Sequence, residues 1–420
     1  MELNSGAGAR MLRLPERDVP VMLEADVLVC GGGPAGTVAA IASARMGART
    51  CIIERYNHLG GLATGGLVIA LPPLTDEGRQ IVGGIGLEIR DAMLATGEAV
   101  TRGRADACYF DPEALKYVSL QLCLDAGAEI LHHAWLSDAV VEGDGVRGVV
   151  FETKAGTATA MGKVVVDATG DGDVFAWAGC TFDKTDQIVG LDFRIGGVDV
   201  ARWQTAREND SDTCAEVMHD TRELCDWHGP FELGALPGGR GVVWGNNGLR
   251  AADALDPRQL SQIDIQARVK IREALDILRK RMPGFADAWL IDTASQTGVR
   301  RSRRLQGIDR LSGDDVSQHD FRHPDAVGRG NDFRRTGIAY DIPYGVLVPE
   351  DRDGLLTCGR CISCDDDALE PVRVIQVCWA TGQAAGTAAA MAAEASLAPR
   401  NLPVRDLQHV LGQASVAFAD

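Results

Sequence analysis

The chain of 420 residues lacks several features that mark particular classes of protein. Aromatic residues make up only 5% of it against 49 glycines, which favours close α/β packing over an aromatic-rich β-sandwich. No apolar run approaches the roughly 18 residues of a membrane-spanning helix. Residues 1–24 carry charges and two prolines where a signal peptide would have an apolar stretch. We therefore expect a cytoplasmic protein with no membrane partner.

Positive charge is also in deficit, with 42 Lys and Arg against 59 Asp and Glu, a formal net charge of −17. Binding to nucleic acid or to an anionic membrane needs a clustered basic face, so we expect neither partner. The 11 cysteines are odd in number and scattered, which favours buried free thiols in a reducing compartment over a disulfide framework. We predict no metal site.

A phosphate-binding βαβ unit lies near the start of the chain. The apolar run Asp26–Cys30 predicts a buried parallel strand, and residues 31–36 satisfy the pattern Gly-x-Gly-x-x-Gly. A small-residue helix over 37–47 and a second strand over 49–53 are predicted to follow, and Glu54 ends that strand. The order strand, glycine-rich turn, helix is the context that gives this motif its meaning.

Each residue type in the unit has a physical role. Gly31 permits the tight turn, Gly33 lets a pyrophosphate approach the backbone, and Gly36 lets the helix pack on the strand. The helix N-terminus offers free N–H groups to phosphates. Glu54, 23 residues after Gly31, is placed to accept hydrogen bonds from ribose hydroxyls. The unit predicts a site for FAD or NAD.

A second match to the same pattern, Gly143–Gly148, has a different meaning. It lies between two strand-like runs, 134–142 and 149–153, and no helix opens after it. A Gly-Asp-Gly turn that joins a β-hairpin accounts for these glycines.

The remaining elements suggest four parts. Asp111 as N-cap and Pro112 begin a predicted helix that runs to Leu124, and a long amphipathic helix is predicted over 259–281. Composition shifts at about residue 181, where charges and tryptophans increase. The predicted parts are an N-terminal arm (1–24, with a strand near 19–23), a first nucleotide-binding segment (25–180), a substrate or cap domain (181–345) and a return segment with a C-terminal helix (346–420).

Several separated motifs occur in one order along the chain: 29–36, Glu54 with 59–64, 166–173, 359–363 and 382–386. In this order the chain resembles the FAD-dependent oxidoreductases of the glutathione-reductase-like fold. More narrowly it resembles a bacterial flavoprotein family related to the fumarate reductase and succinate dehydrogenase flavoproteins. The resemblance implies an α/β fold, with a Rossmann-like FAD-binding domain and an inserted α+β substrate or cap domain.

The resemblance also implies noncovalent FAD and a role for each motif. The helix beginning near Arg373 would aim its N-terminus at the carbonyl-bearing edge of the flavin, where negative charge grows on reduction. The implied contacts are Gly31, Gly33, Pro34, Ala35 and Gly36 to the pyrophosphate; Glu54, with Arg55 beside it, to the adenosine ribose; Gly60, Gly61, Leu62, Ala63 and Thr64 to the ribityl chain and flavin; Leu136 to adenine; Thr169, Gly170 and Asp171 to the dinucleotide; and Gly359 and Arg360 to the ribityl–phosphate segment.

Three residues are candidates for the chemistry on the substrate. Arg300, in a basic run at 298–304, has the fork geometry to bind a carboxylate, although a solvated helix start or an inter-domain ion-pair set explains the run as well. Tyr344 is a candidate proton donor, with a packed aromatic as the alternative. His323 is the best-placed histidine for acid–base work, with a surface loop as the alternative.

Two further segments have competing interpretations. The cysteines at 358, 361 and 364 imitate iron–sulfur spacing, but Cys378 is 14 residues further on and the run overlaps a motif of the family, so small residues packed near a flavin are the simpler interpretation. A redox-active pair of Cys361 and Cys364 is the third possibility. Asp365, Asp366 and Asp367 depart from the family pattern, which puts a transferred mechanism in doubt.

We predict an FAD-dependent dehydrogenase or reductase that transfers hydride between a small organic substrate and flavin N5. No second dinucleotide motif predicts a domain for NAD(P)H, so the partner is an external electron acceptor or donor, a quinone or oxygen. The alternatives are a flavin-dependent oxidase or monooxygenase, and a flavin-binding protein without turnover. A homo-oligomer is compatible with the sequence.

Overall fold

The computed structural model describes residues 12, 16, 18–185, 187–229 and 231–418, with residues 187, 251 and 252 described by their backbone only. The described residues form ten α-helices. They are α1 (Pro34–Arg45), α2 (Gly84–Ala95), α3 (Pro112–Ala126), α4 (Asp173–Trp177), α5 (Val200–Asn209), α6 (Ser211–Leu224), α7 (Pro257–Arg281), α8 (Leu369–Val372), α9 (Ile375–Ala395) and α10 (Val404–Gln413).

The strands of the described residues are short except in the central sheet. They are β1 (Val21–Cys30), β2 (Thr50–Ile53), β3 (Ala70–Leu71), β4 (Thr75–Asp76), β5 (Arg79–Gln80), β6 (Ala99–Thr101), β7 (Cys108–Phe110), β8 (Glu129–Leu131), β9 (Trp135–Glu142), β10 (Gly145–Thr153), β11 (Gly156–Asp167), β12 (Phe182–Lys184), β13 (Gln187–Gly190), β14 (Phe193–Gly196), β15 (Glu232–Ala235), β16 (Val243–Asn246), β17 (Leu249–Ala252), β18 (Trp289–Thr293), β19 (Gly298–Val299), β20 (Arg303–Leu305), β21 (Asp320–Phe321), β22 (Ala326–Asn331), β23 (Ala339–Pro343) and β24 (Leu355–Thr357).

The central sheet has the strand order β8-β2-β1-β11-β10-β9, with β24 beside the second half of β11. Strands β8, β2, β1, β11 and β24 run parallel, and β9 and β10 form an antiparallel hairpin on β11. Residues 27–30 of β1 are fully buried, as expected of a parallel strand covered on both faces. The sheet confirms the predicted α/β class, and the hairpin confirms the interpretation of Gly143–Gly148.

Helices α1 and α9 pack on one face of this sheet in close contact with each other. A methyl group at Gly382 would overlap the carbonyl oxygen of Ala35, and one at Gly386 would overlap that of Ala39. Glycine at these two positions, one helical turn apart, lets the backbones of α1 and α9 lie in direct contact. Because α1 carries the glycine-rich loop at its N-terminus, this contact fixes where that loop lies.

The cap contains a four-stranded antiparallel sheet of order β15-β16-β14-β18, with α5, α6 and α7 beside it. Helix α7 confirms the helix predicted over 259–281, and the Asp256 side chain caps it by accepting from the Arg258 amide at 2.9 Å. Its apolar face is buried around Ile271 and Leu275. The predicted N-cap of α3 is also confirmed, because Asp111 accepts from the Glu113 amide at 3.0 Å.

Two predicted boundaries need correction. The arm was predicted to end at residue 24, but β1 starts at Val21 and pairs with β11 from Thr159 onward, so residues 21–24 belong to the central sheet. The sheet β21-β23-β22, placed in the cap by its sequence position, packs with β22 against α9 and α10. Both errors arise because pairing between distant segments leaves no local signal. Among the described helices, none is both long and apolar enough to cross a membrane.

Candidate functional site

The glycine-rich loop joins β1 to α1 at the carboxyl end of the parallel strands. Gly31 has φ +102°, and a side chain there would lie 2.6 Å from the Ala168 carbonyl oxygen. A methyl at Gly36 would overlap the carbonyl oxygen of Gly31, so only glycine lets the helix start so close to the strand. Beside Gly33, in contrast, no atom lies within 4 Å of an added Cβ, which leaves open space at the helix N-terminus. A pyrophosphate fits this space.

Glu54 lies directly beside the loop. Its Oε2 accepts from the Gly32 amide at 2.6 Å and its Oε1 from the Tyr56 amide at 2.8 Å, and the side chain is buried. These bonds fix a carboxylate at the end of β2, where ribose hydroxyls are expected. Nearby, the guanidinium of Arg55 lies 4.9 Å from the ring centroids of both Tyr56 and Trp135.

This aromatic pair lies next to Leu136, the predicted adenine contact at the start of the β9–β10 hairpin. Trp135 is exposed. Neither Tyr56 nor Trp135 is among the predicted site residues. The only signal that would have found them is their position next to Glu54 and Leu136.

The turn predicted to contact the flavin packs against the phosphate loop. The Gly60 amide donates to the Gly32 carbonyl at 2.8 Å, and a Cβ at Gly61 would lie 2.7 Å from the Cα of Gly33. Gly61, Leu62 and Ala63 form one turn of 3₁₀ helix, and the Thr64 hydroxyl donates to the Leu59 carbonyl at 2.7 Å. The structure therefore brings residues 60–64 together with the loop at 31–36.

The predicted residues from the second half of the sheet meet at the same edge. The Asp171 carboxylate accepts from Arg360 at 2.8 Å, and the Gly170 backbone lies against the same guanidinium. Thr169 follows the end of β11 and donates to the buried Asp167 carboxylate at 2.7 Å. Gly359 follows β24 and lies against Ala35 at the start of α1.

Helix α9 begins close to this corner. Cys378, in its first turn, lies near Gly359 and donates its thiol to the Arg373 carbonyl at 3.4 Å. The helix starts at Ile375, two residues after the predicted Arg373, whose side chain pairs with Glu370 at 2.7 Å. Four segments (31–36, 60–64, 169–171 and 359–360) and the N-terminus of α9 thus converge at one edge. The open space beside Gly33, the fixed Glu54 carboxylate and the helix N-termini fit FAD.

One extended segment of the cap crosses this edge. At one end, the Ser295 hydroxyl and the Gln296 amide both donate to the Gly65 carbonyl, at 3.2 and 3.0 Å. At the other end, the Ser302 hydroxyl donates to Asp171 at 2.6 Å. We call residues 295–304 the crossing segment. It joins the cap to the turn after residues 60–64 and to the turn at 169–171.

Three of the four arginines in the crossing segment form ion pairs between parts of the fold. Arg301 pairs with Glu370, Arg303 with Asp173, and Arg304 with Asp366, at 3.4, 2.9 and 2.7 Å. For these three the inter-domain interpretation of the basic run holds. Arg300 differs: its hydrogen bonds go to the neutral oxygens of Asn246 and Asn247, at 3.4 and 3.3 Å, and it forms no ion pair with a described residue.

A buried carboxyl group that sequence analysis missed lies beside Arg300. Asp192 precedes β14, is 6% exposed, and accepts from the Trp244 indole at 3.2 Å. Burial raises the pKa of Asp192 to about 8, and the positive charge of Arg300 opposes this rise only in part. Burial, and after it the charge of Arg373, lowers the pKa of Arg300. An isolated aspartate in a sequence of mixed polarity gives no signal of such burial.

A histidine was also missed. His58 lies in the turn between Glu54 and Gly60, stacks on Tyr56 with ring centroids 5.7 Å apart, and accepts from or donates to Thr64 at 3.1 Å. Burial lowers its pKa, so the ring is neutral at pH 7. Its far edge faces Gly65, beneath the crossing segment.

The other two catalytic candidates lie elsewhere. The Tyr344 side chain is 4% exposed and donates its hydroxyl to the Pro399 carbonyl at 2.9 Å, and burial raises its pKa. His323 is in a loop after β21, where its Nδ1 accepts from the Asp325 amide at 3.2 Å. Neither side chain contacts the loops at 31–36, 60–64 or 169–171 among the contacts of the described residues. The geometry favours the packed-aromatic and loop interpretations.

The cysteines at 358–364 are packed in the protein interior, and Asp365 and Asp366 hold neighbouring segments together. All 11 cysteines are free and buried, and burial raises the pKa of Cys364 and Cys378 to about 12. In the described part of the chain no group of three or more His, Cys, Asp or Glu side chains is placed to hold a metal ion. Asp365 accepts from the Ala368 amide at 2.8 Å, and Asp366 pairs with Arg304.

We expect Asp192→Asn to stabilise the protein in a pH-dependent way. The folded-state pKa of Asp192 lies above its unfolded value, so its protonated form supports folding at low pH and this support is lost as pH rises towards about 8. Asparagine does not ionise, so the variant should gain on the wild type by about 3–4 kcal/mol between pH 5 and pH 8. Urea unfolding at both pH values measures the difference. If the two proteins differ in free energy of unfolding by the same amount at pH 5 and at pH 8, Asp192 is not a buried ionisable group.

A groove of about 610 Å³ lies away from this site. It is lined by residues at the amino ends of the parallel strands, among them Glu24, Arg49 and Asp353, and by the C-terminal end of α9. Ligands of open parallel sheets bind at the carboxyl ends of the strands. The converging loops, and not this groove, therefore mark the site.

Known proteins agree with this geometry. The family model of the FAD dependent oxidoreductases matches residues 26–411. A thiamine thiazole synthase of Methanococcus vannielii is 27% identical over 240 residues, 52% of this chain and 83% of the relative. The tRNA uridine 5-carboxymethylaminomethyl modification enzyme MnmG of Syntrophotalea carbinolica is 33% identical over 155 residues, 34% of this chain and only 24% of the relative.

Solved structures resemble the fold as a whole. A geranylgeranyl bacteriochlorophyll reductase-like protein of Thermoplasma acidophilum has a TM-score of 0.51 at 17% identity, with 93% of this chain and 84% of that chain covered. The myxobacterial FAD-dependent halogenase CndH has a TM-score of 0.53 at 15% identity, with 93% and 78% covered. At these identities the likeness shows the fold alone. The family match covers most of the chain, and the chain belongs to the FAD-dependent oxidoreductases, enzymes with FAD as cofactor.

Proposed function

We propose that the enzyme is a dehydrogenase or reductase of a small organic molecule, which exchanges hydride with N5 of noncovalently bound FAD. The observation that carries this proposal is the crossing segment. It is anchored at Gly65 on one side and at Asp171 on the other, so a substrate beneath it is held against the flavin and away from water. An external electron carrier would complete the cycle.

The protein's part in this reaction is to position and to shield. When bound, FAD supplies the electron chemistry. Gly33 and the N-terminus of α1 would hold the pyrophosphate, Glu54 the ribose, and residues 60–64 the ribityl side. The N-terminus of α9 would favour negative charge on the nearby edge of the cofactor. Of the three catalytic candidates, only Arg300 lies in the crossing segment, and this position supports a role in binding substrate.

A flavin-dependent oxidase or monooxygenase is the second candidate. The two candidates differ in how the reduced enzyme meets oxygen.

The test is reoxidation of the reduced holoenzyme. Photoreduction without oxygen, followed by rapid mixing with oxygenated buffer, is expected to give slow return of the oxidised-flavin absorbance in a single phase. Fast return through a spectrally distinct flavin–oxygen adduct would overturn the dehydrogenase proposal in favour of the second candidate. Release of the flavin on denaturation, measured on the same sample, checks that it is noncovalent.

A further inference from the structure

Arg300 forms no ion pair with a carboxylate among the residues that the structure describes. Its side chain is half-buried between the neutral oxygens of Asn246 and Asn247, and both hydrogen bonds are long, 3.3–3.4 Å. The carboxylates on neighbouring elements are otherwise engaged: Glu370 pairs with both Arg373 and Arg301, and Glu232 is exposed on its strand. A half-buried guanidinium without a carboxylate partner is costly unless a ligand provides one.

Asp192 is close to Arg300 and yet does not neutralise it. The carboxyl group is buried beneath Trp244, and burial raises its pKa to about 8, so at pH 7 it is mostly protonated. A neutral carboxyl group leaves the charge of Arg300 available. Loss of that proton would give Arg300 an internal counter-charge.

The position of Arg300 connects this charge to the flavin site. Arg300 lies inside the crossing segment, between Gln296 on Gly65 and Ser302 on Asp171. Arg373, whose charge acts on Arg300, lies just before α9 at the corner formed by Gly359. An anionic group bound at Arg300 would therefore lie between the two anchors of the crossing segment, Gly65 and Asp171.

We propose that the substrate is an organic acid and that Arg300 binds its carboxylate. Asp192, buried beneath Trp244, leaves the charge of Arg300 available as long as its carboxyl group is neutral. This inference rests on the proposed function, because it names the substrate class of the same site. The groups that face the pair are Glu232, Trp244, Asn247, Glu370 and Arg373.

The experiment measures binding to the oxidised holoenzyme and needs no turnover. Acetate, propionate, succinate and benzoate are titrated separately, each beside its neutral amide, and the change in the flavin absorbance spectrum gives the Kd. We expect at least one acid to bind at least tenfold more tightly than its amide at pH 7, and Arg300→Gln to remove that preference. Arg310→Gln is the matched control, because Arg310 is a cap arginine paired with Asp183 at 2.8 Å.

The pH dependence is the second readout. Wild-type affinity for the acid should fall by tenfold or more between pH 7 and pH 9.5, and the fall should be much smaller in Asp192→Asn. The proposal is overturned if no acid binds better than its amide, if Arg300→Gln keeps the preference, or if Asp192→Asn shows the wild-type fall. Because flavin absorbance reports binding alone, a positive result combined with fast reoxidation would keep this site and overturn the dehydrogenase.

Discussion

Replacing Gly33 by valine should give a folded protein without flavin. The backbone at Gly33, φ −66° and ψ −177°, is one that valine adopts readily, and no protein atom lies within 4 Å of an added Cβ. The side chain would instead fill the space into which the pyrophosphate fits. We expect the affinity for FAD to fall at least 100-fold, which corresponds to about 2.7 kcal/mol or more. Flavin absorbance of the purified protein and titration of the apoprotein with FAD measure this loss.

The comparison that gives this result its meaning is Gly36→Ala. A single methyl there overlaps the Gly31 carbonyl oxygen, so this smaller substitution should lower the free energy of unfolding of the apoprotein. Gly33→Val should leave that quantity nearly unchanged. Normal flavin content in Gly33→Val would refute the placement of the pyrophosphate. If Gly33→Val does not fold, the space beside Gly33 is not open in the apoprotein.

The second large effect is expected at the contact between α1 and α9. In Gly386→Ala the new methyl overlaps the Ala39 carbonyl oxygen, and neither helix can move away without opening the sheet beneath. Overpacking of a core lowers the free energy of unfolding by about 1–3 kcal/mol, and by more where the added group clashes with backbone atoms. We therefore expect Gly386→Ala to lower it by about 3 kcal/mol. Urea unfolding of the apoprotein measures it. Because the displaced helix carries the phosphate loop, weaker FAD binding should accompany the loss of stability.

The matched control is the same change at Gly412. This residue lies on the exposed side of α10, where an added Cβ would meet nothing nearer than the Phe418 ring at 3.9 Å. Alanine loses less conformational freedom than glycine in a helix, so Gly412→Ala should stabilise by about 0.5–1 kcal/mol. If alanine lowers the free energy of unfolding at position 386 and raises it at position 412, the loss at Gly386 is due to the contact between α1 and α9. A loss at Gly386 of less than about 0.5 kcal/mol would contradict the close approach.

Local chemistry explains which features the sequence predicted. The glycine-rich motif at 31–36, the cap at Asp111 and the turn at 143–145 each depend on residues within a few positions of one another. All three are present, although α1 begins at Pro34, three residues before the predicted start at 37. The family resemblance added the order of the motifs, and the structure brings residues 60–64, 169–171 and 359–360 to the edge where 31–36 lie.

What the sequence missed depends on distant contacts. Ser295 reaches Gly65 across 230 positions, and Asp192 lies beside Arg300 although 108 positions separate them in the chain. His323 is predicted from its sequence position in the cap, whereas the burial of His58 beside residues 60–64 depends on how the cap docks. No periodicity or spacing records that docking.

The contact between α1 and α9 also has a consequence for how the protein is made. The phosphate loop at 31–36 leaves the ribosome early, but Gly359, Thr381 and Gly382, which complete its surroundings, follow more than 300 residues later. At roughly 5–20 residues per second, the first segment waits on the order of 15–60 s for the last. Until then β1 lacks the helix that covers it. The nascent chain therefore leaves the apolar residues 27–30 of β1 without α9 for most of its synthesis, and we expect capture of FAD to be one of the last events in its maturation.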